Sequence, residues 1–142
     1  MGSSSPIFFY NIDLEFTLRD KEHIVNWLND IATNEGFFVG RLAYHFCKDE
    51  YLLDINKKHL KHDYYTDVIT FDSSRPPLIS GDILISLERV KDNASEFDIE
   101  WMTELYRVMA HGLLHLLGYS DSTEAEKAIM RRKEGQALKM LH

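Results

Sequence analysis

The stretch from Asp98 to Leu117 most narrows what this chain can fold into. Ile99, Met102, Leu105, Tyr106, Met109 and Leu113 recur at spacings of three and four, which gathers them into one stripe of an α-helix. Gly118 follows, and glycine readily takes the left-handed turn that ends a helix. In a chain of 142 residues, enough for one compact domain, an apolar helix of this length has to be the central core helix. The other elements must pack around it.

Those elements alternate early and turn helical late. Residues 6–13 read as a strand, and 17–36 as a helix with Leu18, Ile24, Trp27, Leu28 and Ile31 on one side. Residues 37–47 alternate as a half-buried strand should: Leu42, Tyr44 and Phe46 point one way, Arg41, Ala43 and His45 the other. A short helix over 48–60 turns Leu52, Ile55 and Leu60 inward. Residues 66–72 form a β-branched strand, 75–81 a loop and 82–88 a fourth strand. Helices near 87–95, 98–117 and 122–141 complete the chain. The order predicts class α+β, with a small mixed four-stranded sheet packed with about five helices. The chain reads as one domain over 1–142, with 1–5 as a flexible lead-in.

Composition bounds the function. No apolar run approaches the roughly 18–20 residues that span a bilayer, and the N-terminus lacks the basic and apolar regions of a secretory signal. A lone cysteine, Cys47, suits a reducing cytoplasm. The net charge of −7 argues against tight, nonspecific binding to a nucleic-acid backbone. Yet charge is segregated: 56–62 and 127–133 are basic, and 91–104 is mostly acidic.

The end of the long helix holds the chemistry. His111 and His115 are four residues apart, so they lie within about 40° of each other around the helix axis. One turn of about 5–6 Å separates them, and two imidazoles can converge on one ion from there. Asp121 follows the Gly118 turn and can return as a third ligand. Three protein ligands leave a fourth position open, as in a catalytic zinc site. The same spacing also suits a plain pair of helix histidines, one of them capping a carbonyl. Gly112 stands where helical zinc proteases carry their glutamate base, which disfavours that chemistry.

The stretch HGLLHLLGYSD, residues 111–121, resembles the signature of the YbeY family of bacterial endoribonucleases. YTDVITF (65–71) and GDILIS (81–86) resemble two further strands of that family in the right order. The resemblance covers roughly residues 50–135. It implies a small α+β domain with a three-ligand metal site at the end of its long helix. It also implies cleavage of single-stranded RNA in maturation of ribosomal RNA, at the 3′ end of the small-subunit RNA. The implied ligands are His111, His115 and Asp121, holding one Zn2+ or another divalent transition metal. The implied partners are ribosomal RNA and the small subunit.

Two departures from the family pattern stand out. Asp121 replaces the family's usual histidine, and Ser120 its aspartate. Leu60 occupies the position of an arginine thought catalytic in the family. Lys57, Lys58 and Lys61 are nearby cations, and with Arg107 they are the candidates for RNA contact. A lysine is not a geometric substitute for a guanidinium fork. The general base is unassigned; Asp67 and Asp82 are candidates to lie near the site, and Glu104 shares a helix face with Arg107 and His111. Tyr119 and Met130 are expected to pack the floor of the site. The expected function is a metal-dependent endoribonuclease. The alternative is a noncatalytic ribosome-assembly factor in which a metal only staples the terminal helix to the long one.

Overall fold

The computed structural model describes residues 6–62 and 64–141. The expected lead-in, residues 1–5, lies outside the described residues. The elements run β1 (Ile7–Asn11), α1 (Lys21–Asn34), β2 (Phe38–Cys47), α2 (Asp49–His59), β3 (Val68–Asp72), β4 (Leu78–Ser86), α3 (Leu87–Phe97), α4 (Trp101–Leu116) and α5 (Glu124–Met140). The strands form one sheet in the order β1-β2-β4-β3. β2 pairs with β1 and β4 in parallel, and β3 with β4 antiparallel. This is the mixed four-stranded α+β sheet with five helices that the sequence predicts.

Helix α4 lies on the sheet face built by Leu42, Tyr44 and Phe46 of β2 and Ile79, Ile83 and Ile85 of β4, all buried in the main core. Gly112 brings it close. A Cβ there would lie 2.7 Å from Ile83 Cγ2, so only glycine lets the helix backbone approach the sheet at the level of the two histidines. The Tyr44 hydroxyl donates to the Met109 carbonyl at 2.8 Å, satisfying a fully buried phenol. Trp27 of α1 meets Tyr106 of α4 edge-on and donates its Nε1–H to the Ala137 carbonyl of α5 at 2.7 Å. Helices α1, α4 and α5 are thus joined around one core. Helix α2 covers part of the opposite sheet face over a smaller cluster of Cys47, Leu52, Ile69 and Leu84. Among the described residues, no helix is long and apolar enough to cross a membrane.

Some expected boundaries shift: α1 begins at Lys21, leaving Leu18 buried but outside the helix, and β4 ends at Ser86; four further departures change the packing. First, the expected loop 75–81 is already strand from Leu78. Residues 78–81 pair in parallel with 38–42 of β2, so Ser80 and Gly81 lie on a ladder and only the prolines before Leu78 remain in a turn. Gly81 is needed there because a Cβ would collide with the Phe71 carbonyl on β3. Second, β2 is not half-buried along its length: Ala43 and Cys47 of the second face are as buried as Leu42 and Tyr44, Cys47 beneath Leu52 of α2. Third, the long helix starts at Trp101, because Asp98 takes a left-handed conformation (φ 56°) that closes α3. Ile99 therefore falls outside the stripe and is 42% exposed. Fourth, Leu60 does not turn inward; it caps the C-terminus of α2 and is 39% exposed.

Candidate metal centre

The last two turns of α4 carry His111 and His115 on one face, as their spacing requires. Gly118 then reverses the chain with φ 107°. Its N–H donates to the His115 carbonyl, and the Tyr119 N–H to the Leu114 carbonyl, each at 3.0 Å, which satisfies the last carbonyls of the helix. The Tyr119 hydroxyl donates to Glu35 at 2.6 Å, and Lys133 of α5 sits over the Tyr119 ring and bonds Glu35 at 2.8 Å. This loop is therefore clamped between α1 and α5. Thr123 starts α5 with a capping box closed by Glu126, fixing the far end of the loop. Between these anchors Asp121 turns back over the histidines.

Three ligand atoms converge. His111 Nε2 and His115 Nε2 are 3.0 Å apart, and Asp121 Oδ2 lies 3.4 Å from the first and 3.6 Å from the second. A tetrahedral ion with bonds of about 2.0–2.2 Å needs its ligand atoms about 3.3–3.6 Å apart. The two edges to Asp121 already have the dimensions of one face of such a site, and the edge between the histidines, at 3.0 Å, is shorter. Two borderline nitrogens and one carboxylate oxygen are also a donor set that suits a divalent transition metal. The histidines are part-buried, at 15% and 28% side-chain exposure, and Asp121 is more open at 43%. Burial, and then the charge of His111, lower the His115 pKa against the pull of Asp121, which favours the neutral form a ligand needs.

Beneath the triangle is a layer of charge that sequence reasoning missed. Glu134 of α5, 5% exposed, accepts from His111 Nδ1 at 2.5 Å. A proton held on Nδ1 leaves the Nε2 lone pair directed at Asp121. Arg107 donates to Glu134 at 3.0 Å and to both oxygens of the fully buried Glu104 at 2.7 and 2.6 Å. Burial raises the Glu134 pKa, but the His111 hydrogen bond and the Arg107 charge outweigh it, and the net shift is downward. The guanidinium of Arg107, a candidate for RNA contact, is thus engaged by carboxylates on all three nitrogens. Asp67 lies 3.9 Å from Arg107 and accepts from Asn93; burial raises its pKa despite the pull of Arg107 and His111.

The structure places the other candidates as follows. Met130 is buried in the core and Tyr119 packs against it. Asp82 points to the sheet face opposite α4, where it meets His45 at 2.9 Å, so the sheet separates it from the histidines. Lys57, Lys58 and Lys61 are exposed around the C-terminus of α2, Lys58 in an ion pair with Asp54. From this end of α2 a cleft of about 400 Å³ runs to His115 and Asp121, and Leu60, His62, Tyr64 and Thr70 also line it. Sequence reasoning had not assigned His62 or Tyr64 to the site.

A family model described as Endoribonuclease YbeY matches residues 10–142. Endoribonuclease YbeY of Cytophaga hutchinsonii is 51% identical over 135 residues, covering 94% of each chain. That of Flavobacterium psychrophilum is 44% identical over 133 residues, covering 94% of this chain and 95% of its own. Among solved structures, the solution structure of TM1509 from Thermotoga maritima superposes with a TM-score of 0.66 at 22% identity, over 95% of this chain and 88% of that one. At that identity the likeness speaks to the fold.

Proposed function

The chain belongs to the YbeY endoribonuclease family, and from that premise we propose that it is a metal-dependent endoribonuclease that hydrolyses phosphodiester bonds of single-stranded RNA. Ribosomal RNA, at the 3′ end of the small-subunit RNA, is the proposed substrate, with the small subunit as partner and the cytoplasm as location. The observation that carries the reading is the triangle of His111 Nε2, His115 Nε2 and Asp121 Oδ2 at the end of a cleft of about 400 Å³. One Zn2+ is the proposed ion; other divalent transition metals fit the same donors.

When bound, such an ion supplies Lewis-acid polarisation of a phosphoryl oxygen and acidifies a water near neutral pH. The chain's own residues do the rest. Glu134 holds the His111 proton on Nδ1 and fixes the ring plane. Arg107 holds the buried Glu134 carboxylate in its ionised form and is itself braced by both oxygens of Glu104, and so maintains that orientation. Asp121 lowers the net positive charge of the site. Lys57, Lys58 and Lys61 stand at the α2 end of the cleft, where the phosphates of a bound strand would pass.

A purely structural metal is the weaker alternative. Helix α5 is already joined to α4 through Glu134, Arg107 and His111 and through buried Met130 and Ala137, so it needs no metal staple. The test is elemental analysis of the purified protein beside His111→Ala, His115→Ala and Asp121→Ala. One transition-metal ion per parent chain, with a sharp loss in both histidine variants, is the expected result. Stoichiometric metal retained in both histidine variants would overturn the assignment.

A further inference from the structure

The cleft has a second wall that the metal chemistry does not use. The rings of His62 and Tyr64 stack at 20° with centroids 5.2 Å apart, and the Tyr64 hydroxyl meets His62 Nδ1 at 3.0 Å. Both residues line the cleft that ends at His115 and Asp121. Tyr64 is 55% exposed and so presents its ring to the solvent of the cleft. It is nevertheless held in place. Asn56, 2% exposed, accepts from the main-chain N–H of His62 at 3.0 Å through its carbonyl. Its side-chain amide donates to the Tyr64 carbonyl at 2.9 Å. One buried residue thus fixes the backbone on either side of the ring pair, so the pair costs little further ordering when it binds.

We propose that Tyr64, backed by His62, is a stacking subsite for one nucleobase of a single-stranded RNA whose backbone runs along the cleft to the metal triangle. This rests on the reading of the protein as a ribonuclease acting on single strands. Three observations favour a base as the occupant. An exposed π-face at the rim of a cleft is how single-strand binders hold bases irrespective of sequence. A double helix keeps its bases stacked on one another and offers no face to Tyr64. In a chain of net charge −7 the general field opposes a polyanion, whereas stacking does not depend on charge. The hydrogen bond between His62 and the phenol orients the ring but is not what binds the base.

The test is an anisotropy titration of a labelled short single-stranded RNA against the zinc-supplemented full chain, read in a stopped-flow cell before cleavage, at several salt concentrations. Parent, Tyr64→Ala and Tyr64→Phe are compared. The same RNA carrying 2-aminopurine at successive positions reports stacking directly through quenching. Tyr64→Ala should weaken binding about 5- to 150-fold, by the same factor at each salt concentration. Tyr64→Phe, which keeps the π-face, should stay near the parent. One 2-aminopurine position should be quenched by the parent and not by Tyr64→Ala. Parental affinity in Tyr64→Ala, no quenched position, or a loss in Tyr64→Phe as large as in Tyr64→Ala would overturn the proposal. Cleavage of the unlabelled RNA by the parent is scored separately. Failure there counts against the ribonuclease reading, whereas failure of the binding arms with cleavage intact counts against the subsite alone.

Discussion

Replacing Glu134 by glutamine should separate the orienting layer from the ligands themselves. The carboxylate now accepts two hydrogen bonds, from His111 Nδ1 at 2.5 Å and from Arg107 at 3.0 Å. An amide of the same shape has one oxygen and one NH2 group. Arg107 can only donate, so it claims the oxygen. The NH2 group then faces His111, which must answer with an Nδ1 lone pair and carry its proton on Nε2, the atom aimed at Asp121. Metal binding would have to expel that proton or turn the amide. Loss of such an orienting carboxylate lowers metal affinity by about 10- to 100-fold, or about 1.4–2.7 kcal/mol. The metal-free protein should also lose about 1.5–3 kcal/mol for a charge-assisted bond in a buried place. The pH dependence has a definite sign. The Glu134 pKa is lowered from its ordinary 4.5 in the fold, so its contribution to stability is present above 4.5 and fades as pH falls through the lower folded value. The stability gap between parent and Glu134→Gln should therefore narrow on acidification below 4.5. Competition titration with a chromophoric chelator gives the zinc affinity, and urea unfolding across pH gives the stability. Parental zinc affinity in a folded Glu134→Gln protein would refute the orienting role.

Further outcomes follow from the same geometry. Gly112→Ala gains about 1 kcal/mol of helix propensity but drives a Cβ to 2.7 Å from Ile83, itself fully buried. A net loss of about 1–2 kcal/mol in urea unfolding is expected, and a stabilised variant would show that α4 can lift off the sheet freely. Asp121→His should keep its metal and raise the formal site charge from about +1 to about +2, moving the rising limb of the cleavage pH profile to lower pH. A limb that stays put or moves upward would show that Asp121 does not set the charge at the reacting centre. A triple alanine variant at Lys57, Lys58 and Lys61 should bind single-stranded RNA more weakly, with a shallower dependence on salt. Equal binding at every salt concentration would remove these lysines from the RNA path.

Local features were legible in the sequence because their partners are local. The α4 stripe from Met102 to Leu113, the Gly118 turn and the pairing of His111 with His115 depend on spacings within one helix and its exit, and the structure keeps them. The return of Asp121 toward the histidines was legible because a three-residue segment after the Gly118 turn has few places to go. Glu134 was not, since it reaches His111 from 23 residues further along, on another helix. A signal did exist. Met130, Glu134, Ala137 and Leu141 recur at helical spacing and all are buried, so Glu134 is a charge on an apolar stripe. Such a charge demands buried partners, and Arg107 on the neighbouring helix provides one. The early start of β4 was hidden because Pro77, Ser80 and Gly81 resemble a turn, although Gly81 serves close approach between strands. Leu60 looked like a core residue because α2 was read one residue too long. His62 and Tyr64 join the cleft only through the fold that brings the end of α2 alongside α4.

Cleavage of a defined single-stranded RNA bears most directly on the central claim. The chain would be stripped of metal by a chelator, assayed, and assayed again after one equivalent of Zn2+ per chain, beside His111→Ala treated in the same way. The account predicts internal cleavage by the zinc-restored parent, none by the stripped parent, and no recovery in His111→Ala although it remains folded. Equal cleavage by stripped and restored parent, or full recovery in His111→Ala, would contradict it.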